Sequence, residues 1–320
     1  MSSDLIYLAE CVRVLSKNTY SILGESFTCS PCSDSPYRYH DSRVRHLASK
    51  LYSLLYSKKK LYPPTTRANA LPIDKIVLAN TSRWGWEYGW NIEAVGSNSY
   101  HYILAKDGLR VSAAPADYIH RPGPPELKAL RRRSTLPNAI VGWILLLGES
   151  LEKMTDLNCP IARYYVNIDS PDATCFVRAV SSEFNGRGIP FSAKIPSNCS
   201  GFGRADSAVV YTRKCYVLES HKAIGNVLGS LKHLRSEVPL FTKKLASGIA
   251  VAEDPGNGMS FGFDRCLTAA EGFWSCDTAQ SGYGAYLEAL ERQFAKRGID
   301  PAALYLNPGS SDEYALLEDK

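Results

Sequence analysis

Between Arg163 and Arg265 the chain repeatedly sets a single basic residue inside a run that is otherwise apolar, β-branched or aromatic. The runs read RYYVNID (Arg163 to Asp169), GRGIPFSAK (Gly186 to Lys194), GRADSAVVYTRK (Gly203 to Lys214) and AEDPGNGMSFGFDR (Ala252 to Arg265). A strand that is apolar on both faces is a buried strand, and carrying an unpaired cation into it costs several kcal/mol. Each such cation is therefore paired, solvated by a cleft, or held for a charged ligand. Lys194, Arg204 and Arg265 are the residues that this constraint singles out.

Around this stretch the pattern alternates. A strand is expected at Ile161 to Ile168, a helix at Asp172 to Asn185, strands at Ile189 to Ile195 and Ala208 to Val217, and an amphipathic helix at His221 to Arg235. This order predicts an α+β domain over residues 138–320, a mixed sheet flanked by helices, with a further helix at Tyr286 to Arg297 and an acidic tail that packs on it and then frays. The apolar run Ala139 to Gly148 is too short for a bilayer, which needs about 20 residues, and reads as a buried helix.

Upstream, Leu5, Leu8, Ala9, Val12 and Leu15, and then Val44, Leu47, Ala48, Leu51, Leu54 and Leu55, recur at helical spacing, so residues 1–70 read as a helical layer with a packing role. Residues 71–121 turn aromatic and glycine-punctuated, the texture of a small antiparallel β-subdomain. Its Trp84, Trp86 and Trp90 either form a small core or line a peptide-binding edge. The Pro-rich, basic stretch Arg121 to Pro137 reads as a boundary, and Arg131 to Arg133 as a solvated face or a dock for an acidic partner.

Composition narrows the function classes. A net charge of +5 spread along 320 residues is no nucleic-acid footprint and suits a small anionic group better. Of the nine cysteines only Cys29 and Cys32 form a CxxC, without a second pair at zinc spacing, so a plain loop is favoured over a metal or redox motif and no metal is expected. Isolated thiols in odd number, with no leader-like segment at Met1 to Leu15 and no spanning run, suit a cytoplasmic protein off the membrane. The Walker, dinucleotide-binding, zinc-protease and nucleophile-elbow motifs are missing, and no cofactor is expected.

In GRGIPFSAK, strand alternation puts Ser192 and Lys194 on one face and Ile189, Phe191, Ala193 and Ile195 on the other. A partly desolvated lysine near other cations is pushed toward the neutral amine that a general base needs; a lysine snorkelling to the surface is the alternative. Arg204 and Arg265 offer planar forks for phosphate, or else pair structurally with Asp206, Glu253, Asp254 or Asp264. The GNGMSFGF loop offers backbone amides to an anion.

Taken in order, GIPFSAK, RADSAVVY, PLFTKKLASGIAVAEDP and SFGFDR resemble the family of HopA-type type III effectors, which includes the stand-alone lyases of class V lanthipeptide biosynthesis. The resemblance implies a phosphoserine/phosphothreonine lyase that eliminates phosphate from a ribosomal precursor peptide, giving dehydroamino acids. Its partners would be that phosphorylated peptide, a separate protein kinase and a cyclase. More remotely, the chain is similar to the phosphothreonine lyase effectors and the lyase domains of class III synthetases. Their Lys-x-His strand falls on Tyr165 to Asn167, their base on Lys194, and their arginine strand on Arg204 to Tyr211. On this reading Lys194 is the base, and Arg204 and Arg265, with Lys243 and Lys244, hold the phosphate in place of a metal. Asn167 stands where those relatives carry a histidine acid, and an amide does not donate a proton in that way, so Tyr165, Tyr211 and His101 become the candidate acids. The alternative is a non-catalytic effector-like protein that binds a peptide or a host protein.

Overall fold

The computed structural model describes residues 2–29, 42–58, 71–83, 85–95, 101–106, 109–122, 127–150, 152, 156, 158–276 and 282–317. Its centre is a seven-stranded sheet made of β10 (Thr135–Ile140), β11 (Trp143–Leu147), β12 (Ile161–Val166), β13 (Ser192–Pro196), β14 (Ala208–Arg213), β15 (Lys243–Ala246) and β16 (Ile249–Glu253). The strand order is β10-β11-β13-β14-β12-β16-β15. Every neighbouring pair is antiparallel, so the expected mixed sheet is corrected. The reason is topological. β12 and β13 are joined through a helix and run the same way, as a strand-helix-strand unit requires, but β14 inserts between them and opposes both.

The buried helix expected at Ala139 to Gly148 is corrected as well: this run is the end of β10, a turn containing Gly142 at positive φ, and β11. In β11, Ile144 and Leu146 are buried while Trp143, Leu145 and Leu147 are half-buried, which is the two-residue period of a strand. Because both faces are apolar, the period is invisible in the letters.

Two helical layers close the sheet. On one face lie α3 (Ile73–Ala79), α4 (Ala173–Gly186) and α5 (Val217–Ser230), whose Phe176, Val180, Phe184 and Ile224 pack with Tyr164, Val166, Val210, Ala193 and Ile195. On the other lie α1 (Ser3–Cys11), α2 (Ser42–Leu51), α6 (Phe261–Trp274) and α7 (Tyr283–Lys296), packed in one core with Tyr165, Val209, Ala250 and Ala252. The N-terminal layer is not wholly helical, since β1 (Val12–Val14), β2 (Thr19–Ile22) and β3 (Glu25–Thr28) form a three-stranded antiparallel sheet within it. A π-helical turn at Tyr52–Tyr56 follows α2 and stacks the Tyr52 and Tyr56 rings at 5.0 Å. Gly262 on α6 makes room for that turn, because a Cβ there would meet the Tyr56 ring at 2.3 Å.

Two more three-stranded antiparallel sheets stand apart, with the orders β4-β9-β8 and β5-β6-β7. They are built from β4 (Gly85–Tyr88), β5 (Asn91–Val95), β6 (Tyr102–Lys106), β7 (Leu109–Ala113), β8 (Tyr118–Arg121) and β9 (Leu127–Arg132). The stretch expected as a boundary thus contributes β9. Trp90 is buried among Leu104, Ala113, Tyr118 and Leu130, the small core that aromatic content suggested; the side chains of Trp84 and Trp86 lie outside the described residues. Cys32 lies outside them too, whereas Cys29 is buried with its thiol 3.6 Å from His46 Nδ1.

Candidate functional site

Register decides which side chains share the face toward α6. Across β13, β14 and β12, Lys194 pairs with Val209, which pairs with Tyr165; one row on, Ser192 pairs with Tyr211, which pairs with Arg163. Trp143 of β11 stands on this face as well, two residues from Leu145, the partner of Lys194. Arg163, Lys194 and Tyr211 are thereby brought together on one face, although helix α4 and then the loop after β13 separate them in sequence.

The loop between β13 and β14 adds Arg204 and Asp206. Their pairing is bidentate: Arg204 Nε donates to Asp206 Oδ1 at 2.7 Å and Nη2 to Oδ2 at 2.8 Å. Tyr52 closes this group from the N-terminal layer, accepting from Arg204 Nη2 at 2.9 Å and donating to Asp206 Oδ2 at 3.3 Å. Lys194 Nζ lies 4.3 Å from the Trp143 ring centre and 5.8 Å from that of Tyr211, and the Arg204 guanidinium lies 5.4 Å from the Trp143 ring. Arg163 sits 5.3 Å from the Tyr211 ring and is held from behind by Asp254, to which its Nε donates at 2.8 Å.

Three cations thus stand on or beside this face, two of them already paired with Asp254 and Asp206. Among the described residues Lys194 Nζ makes no hydrogen bond or ion pair, only its aromatic contacts. Burial pushes its pKa down to about 8; Asp206 opposes this, and the Arg163 and Arg204 charges add to it. Burial raises the Tyr211 hydroxyl well above the ordinary phenol range, so it stays protonated at neutral pH. The Tyr165 hydroxyl is buried near Tyr56 and Arg163 yet makes no well-aligned hydrogen bond, and burial raises it too. A cleft of about 420 Å³ opens beside the group, with Ser192 and Tyr211 on one wall and Trp90, Leu130 and Arg131 on another.

The other residues singled out in the sequence lie elsewhere. Arg265 is almost completely buried on α6, where Nε donates to Leu304 O at 2.8 Å, Nη2 to Leu306 O at 2.9 Å and Nη1 to Asp264 at 2.6 Å. Its fork is spent on tying the C-terminal segment down, which was the structural alternative. Lys243 and Lys244 are on β15, at the far edge of the sheet; Lys243 pairs with Asp312 at 2.5 Å and Lys244 is exposed. His101 precedes β6 in a different sheet.

Asn167 is buried, and its side-chain amide Nδ2 donates to Glu237 O at 2.8 Å while its backbone carbonyl accepts from Arg235 N at 2.9 Å. Arg235 in turn donates to the carbonyls of Phe202, Ile168 and Arg204. Asn167 therefore acts through the backbone, steadying the loop that carries Arg204. The Arg204–Asp206 pair is the structural alternative that the sequence left open for Arg204, while sequence reasoning missed Arg163, Trp143 and Tyr52. The first was within reach, because Arg163 is a lone cation in an apolar strand, two residues from Tyr165 and hence on its face.

Fold and site together define a class: an α+β protein whose antiparallel sheet bears, on one face, a partly desolvated cation group suited to an anion. The chain belongs to the HopA1 effector protein family, whose pattern it matches over residues 141–306, just over half its length. That span contains Trp143, Arg163, Lys194, Arg204 and Tyr211, but not Tyr52. Among solved structures, it is similar to the effector protein from Pseudomonas syringae pv. tomato strain DC3000 at 19% identity and a TM-score of 0.42, and to that from Pseudomonas syringae pv. syringae strain 61 at 15% and 0.38. Each likeness covers 51% of this chain and 62% of the other, so the chain spans less than two thirds of these relatives. No curated protein matches it. Among the described residues no helix is long and apolar enough to cross a membrane.

Proposed function

We propose that the chain is a phosphoserine/phosphothreonine lyase acting on a phosphorylated peptide, the ribosomal precursor peptide of a lanthipeptide-type pathway served by a separate kinase. The observation that carries this reading is Lys194, which makes no ion pair among the described residues and is pushed down to about 8 by burial, with the Arg163 and Arg204 charges adding to the shift. Elimination breaks the Cα–H and Cβ–O bonds, forms the Cα=Cβ bond and releases phosphate. Lys194 Nζ takes the Cα proton, and an amine titrating near 8 is about one-tenth neutral at pH 7, far more than an ordinary lysine, and basic enough for that step. Arg204 and Arg163, each fixed by a carboxylate, stabilise the charge that builds on the departing phosphate. Tyr211, held protonated by burial beside Arg163, supplies the leaving group's proton in place of the histidine of remoter relatives. Arg265, Lys243 and Lys244 drop out of the clamp on this reading, since their positions and partners lie away from it.

The test is incubation with a phosphoserine or phosphothreonine peptide from the cognate precursor, followed by mass spectrometry for loss of phosphoric acid. Turnover by the wild type is expected, with loss of about a thousandfold or more in Lys194→Ala and retained phosphopeptide binding. The rate of the wild type should rise as pH passes through about 8, because the amine becomes neutral there. Intact phosphopeptide throughout, with binding preserved, would favour the non-catalytic peptide-binding alternative.

A further inference from the structure

Two cysteines that look isolated in sequence meet at the open end of the β12 and β14 ladder. The register pairs Ile161 with Arg213. One step beyond, Lys214 N donates to Pro160 O at 2.8 Å, and the next step sets Cys159 beside Cys215, whose N–H points at Cys159 Sγ from 2.8 Å. Arg213 Nη1 also donates to Cys159 O at 2.9 Å, which fixes the turn that carries the first thiol. Cys215 lies in the 3-10 turn Lys214–Tyr216 that follows β14, and a backbone N only 2.8 Å from the Cys159 sulfur sets the two cysteines in direct contact, the proximity that a disulfide needs. Both thiols are reachable: Cys159 is half-buried, Cys215 is exposed, and both line a solvent-open cavity of about 390 Å³ with Lys214, Asn307 and Ser311. Burial and then the neighbouring Cys159 thiol raise the Cys215 thiol to about 11, as expected of two thiols that face each other.

We propose that Cys159 and Cys215 form a dithiol modification site that low-molecular-weight disulfides convert into an intrachain disulfide across the β12 and β14 ends. One cysteine thiolate attacks the small disulfide and releases one small thiolate; the second cysteine thiolate then attacks the resulting mixed disulfide and releases the other. The protein loses two electrons and two protons, and both appear in the two small thiols formed. The bond ties together the strands that carry Arg163, Tyr165 and Tyr211, so it stiffens the face described above. The site is independent of the lyase reading.

The experiment is oxidation of the native full chain with oxidised glutathione at a series of glutathione ratios, alkylation without reduction, and peptide mapping. The expected result is a predominant cross-linked peptide pair containing Cys159 and Cys215, about 2 Da lighter than its two thiols. Exposed Cys175, whose thiol donates to Ser230 O, serves as an internal reference and should carry only the mixed disulfide. In Cys159→Ser, Cys215 should likewise stop at the mixed disulfide. Glutathione adducts at both cysteines of the wild type without the cross-link, or a predominant cross-link to any other cysteine, would overturn the proposal.

Discussion

Tyr164 and Tyr165 are consecutive, both buried, and they lie in opposite chemical worlds. Tyr164 points into the face closed by α4 and α5, where its hydroxyl meets His221 Nδ1 at 3.0 Å among aliphatic neighbours. Tyr165 points into the face that carries Arg163 and Lys194, and its hydroxyl lacks a well-aligned partner. One face is ordinary core: apolar side chains interdigitate and its polar groups are few, with the buried Ser220 hydroxyl of α5 left without a partner among the described residues. The other holds, among the described residues, a lysine that makes no ion pair, a hydroxyl without a well-aligned partner and two arginines, each tied down by a carboxylate. Unpaired polarity is expensive, and the first face supplies stability that lets the second carry it.

That contrast breaks most visibly on the apolar face. Phe184 is fully buried with its ring 5.1 Å from that of Phe191, so Phe184→Ala should cost about 3–5 kcal/mol in urea unfolding. The pH midpoint of the proposed lyase activity should stay near that of the wild type, because nothing around Lys194 has changed. A shift of that midpoint would mean that the faces are not separable.

Next comes the contrast between two arginines. Arg265→Met should lose about 2–4 kcal/mol, since it strands the carbonyls of Leu304 and Leu306 and unpairs Asp264 from its nearest cation. Phosphopeptide affinity, measured by titration, should remain within about twofold. A larger drop in affinity would return Arg265 to the phosphate clamp.

The smallest effect has the opposite sign. The folded Lys194 titrates near 8, below an unfolded lysine at about 10.4, so between these values the unfolded chain binds more protons and stability rises with pH. Below pH 8 both forms are protonated and the full desolvation penalty applies. Lys194→Met should therefore stabilise the fold by about 1–3 kcal/mol at pH 7, a gain that fades as pH rises through 8 and is gone above about 10.4. Thermal unfolding of both proteins across pH 6 to 11 checks this; a pH-independent difference would show that the Lys194 amine is not held out of water.

Much of the architecture was legible. The periodicities that mark α4 and α7 and the lone cations of β12 and β13 are local signals and appear where their spacing puts them, whereas the helix expected at His221 to Arg235 is found at Val217–Ser230, because the strand before it ends at Arg213. The misreading of 139–148 has a physical basis: a short run apolar on both faces has no amphipathic period, so strand and helix look alike. The antiparallel sheet was hidden because strand insertion is a long-range event that leaves no mark in the strands themselves. Tyr52 gave no local signal of its role, because its partners Arg204 and Asp206 lie over 150 positions away in the chain.

The sequence by itself determined that Lys194 and Ser192 share one strand face, that Arg163 and Tyr165 share another, and that lone cations within apolar strands required an explanation, because alternation and desolvation are local physics. Only the tertiary structure decided which cation was which. Register across β13, β14 and β12 put Arg163, Lys194 and Tyr211 on one face, and the β13 to β14 loop added Arg204. Arg265, equally conspicuous in the letters, was claimed by carbonyls some forty residues downstream. A guanidinium has the same fork wherever it stands; what it holds depends on the acceptors that folding brings within about 3 Å.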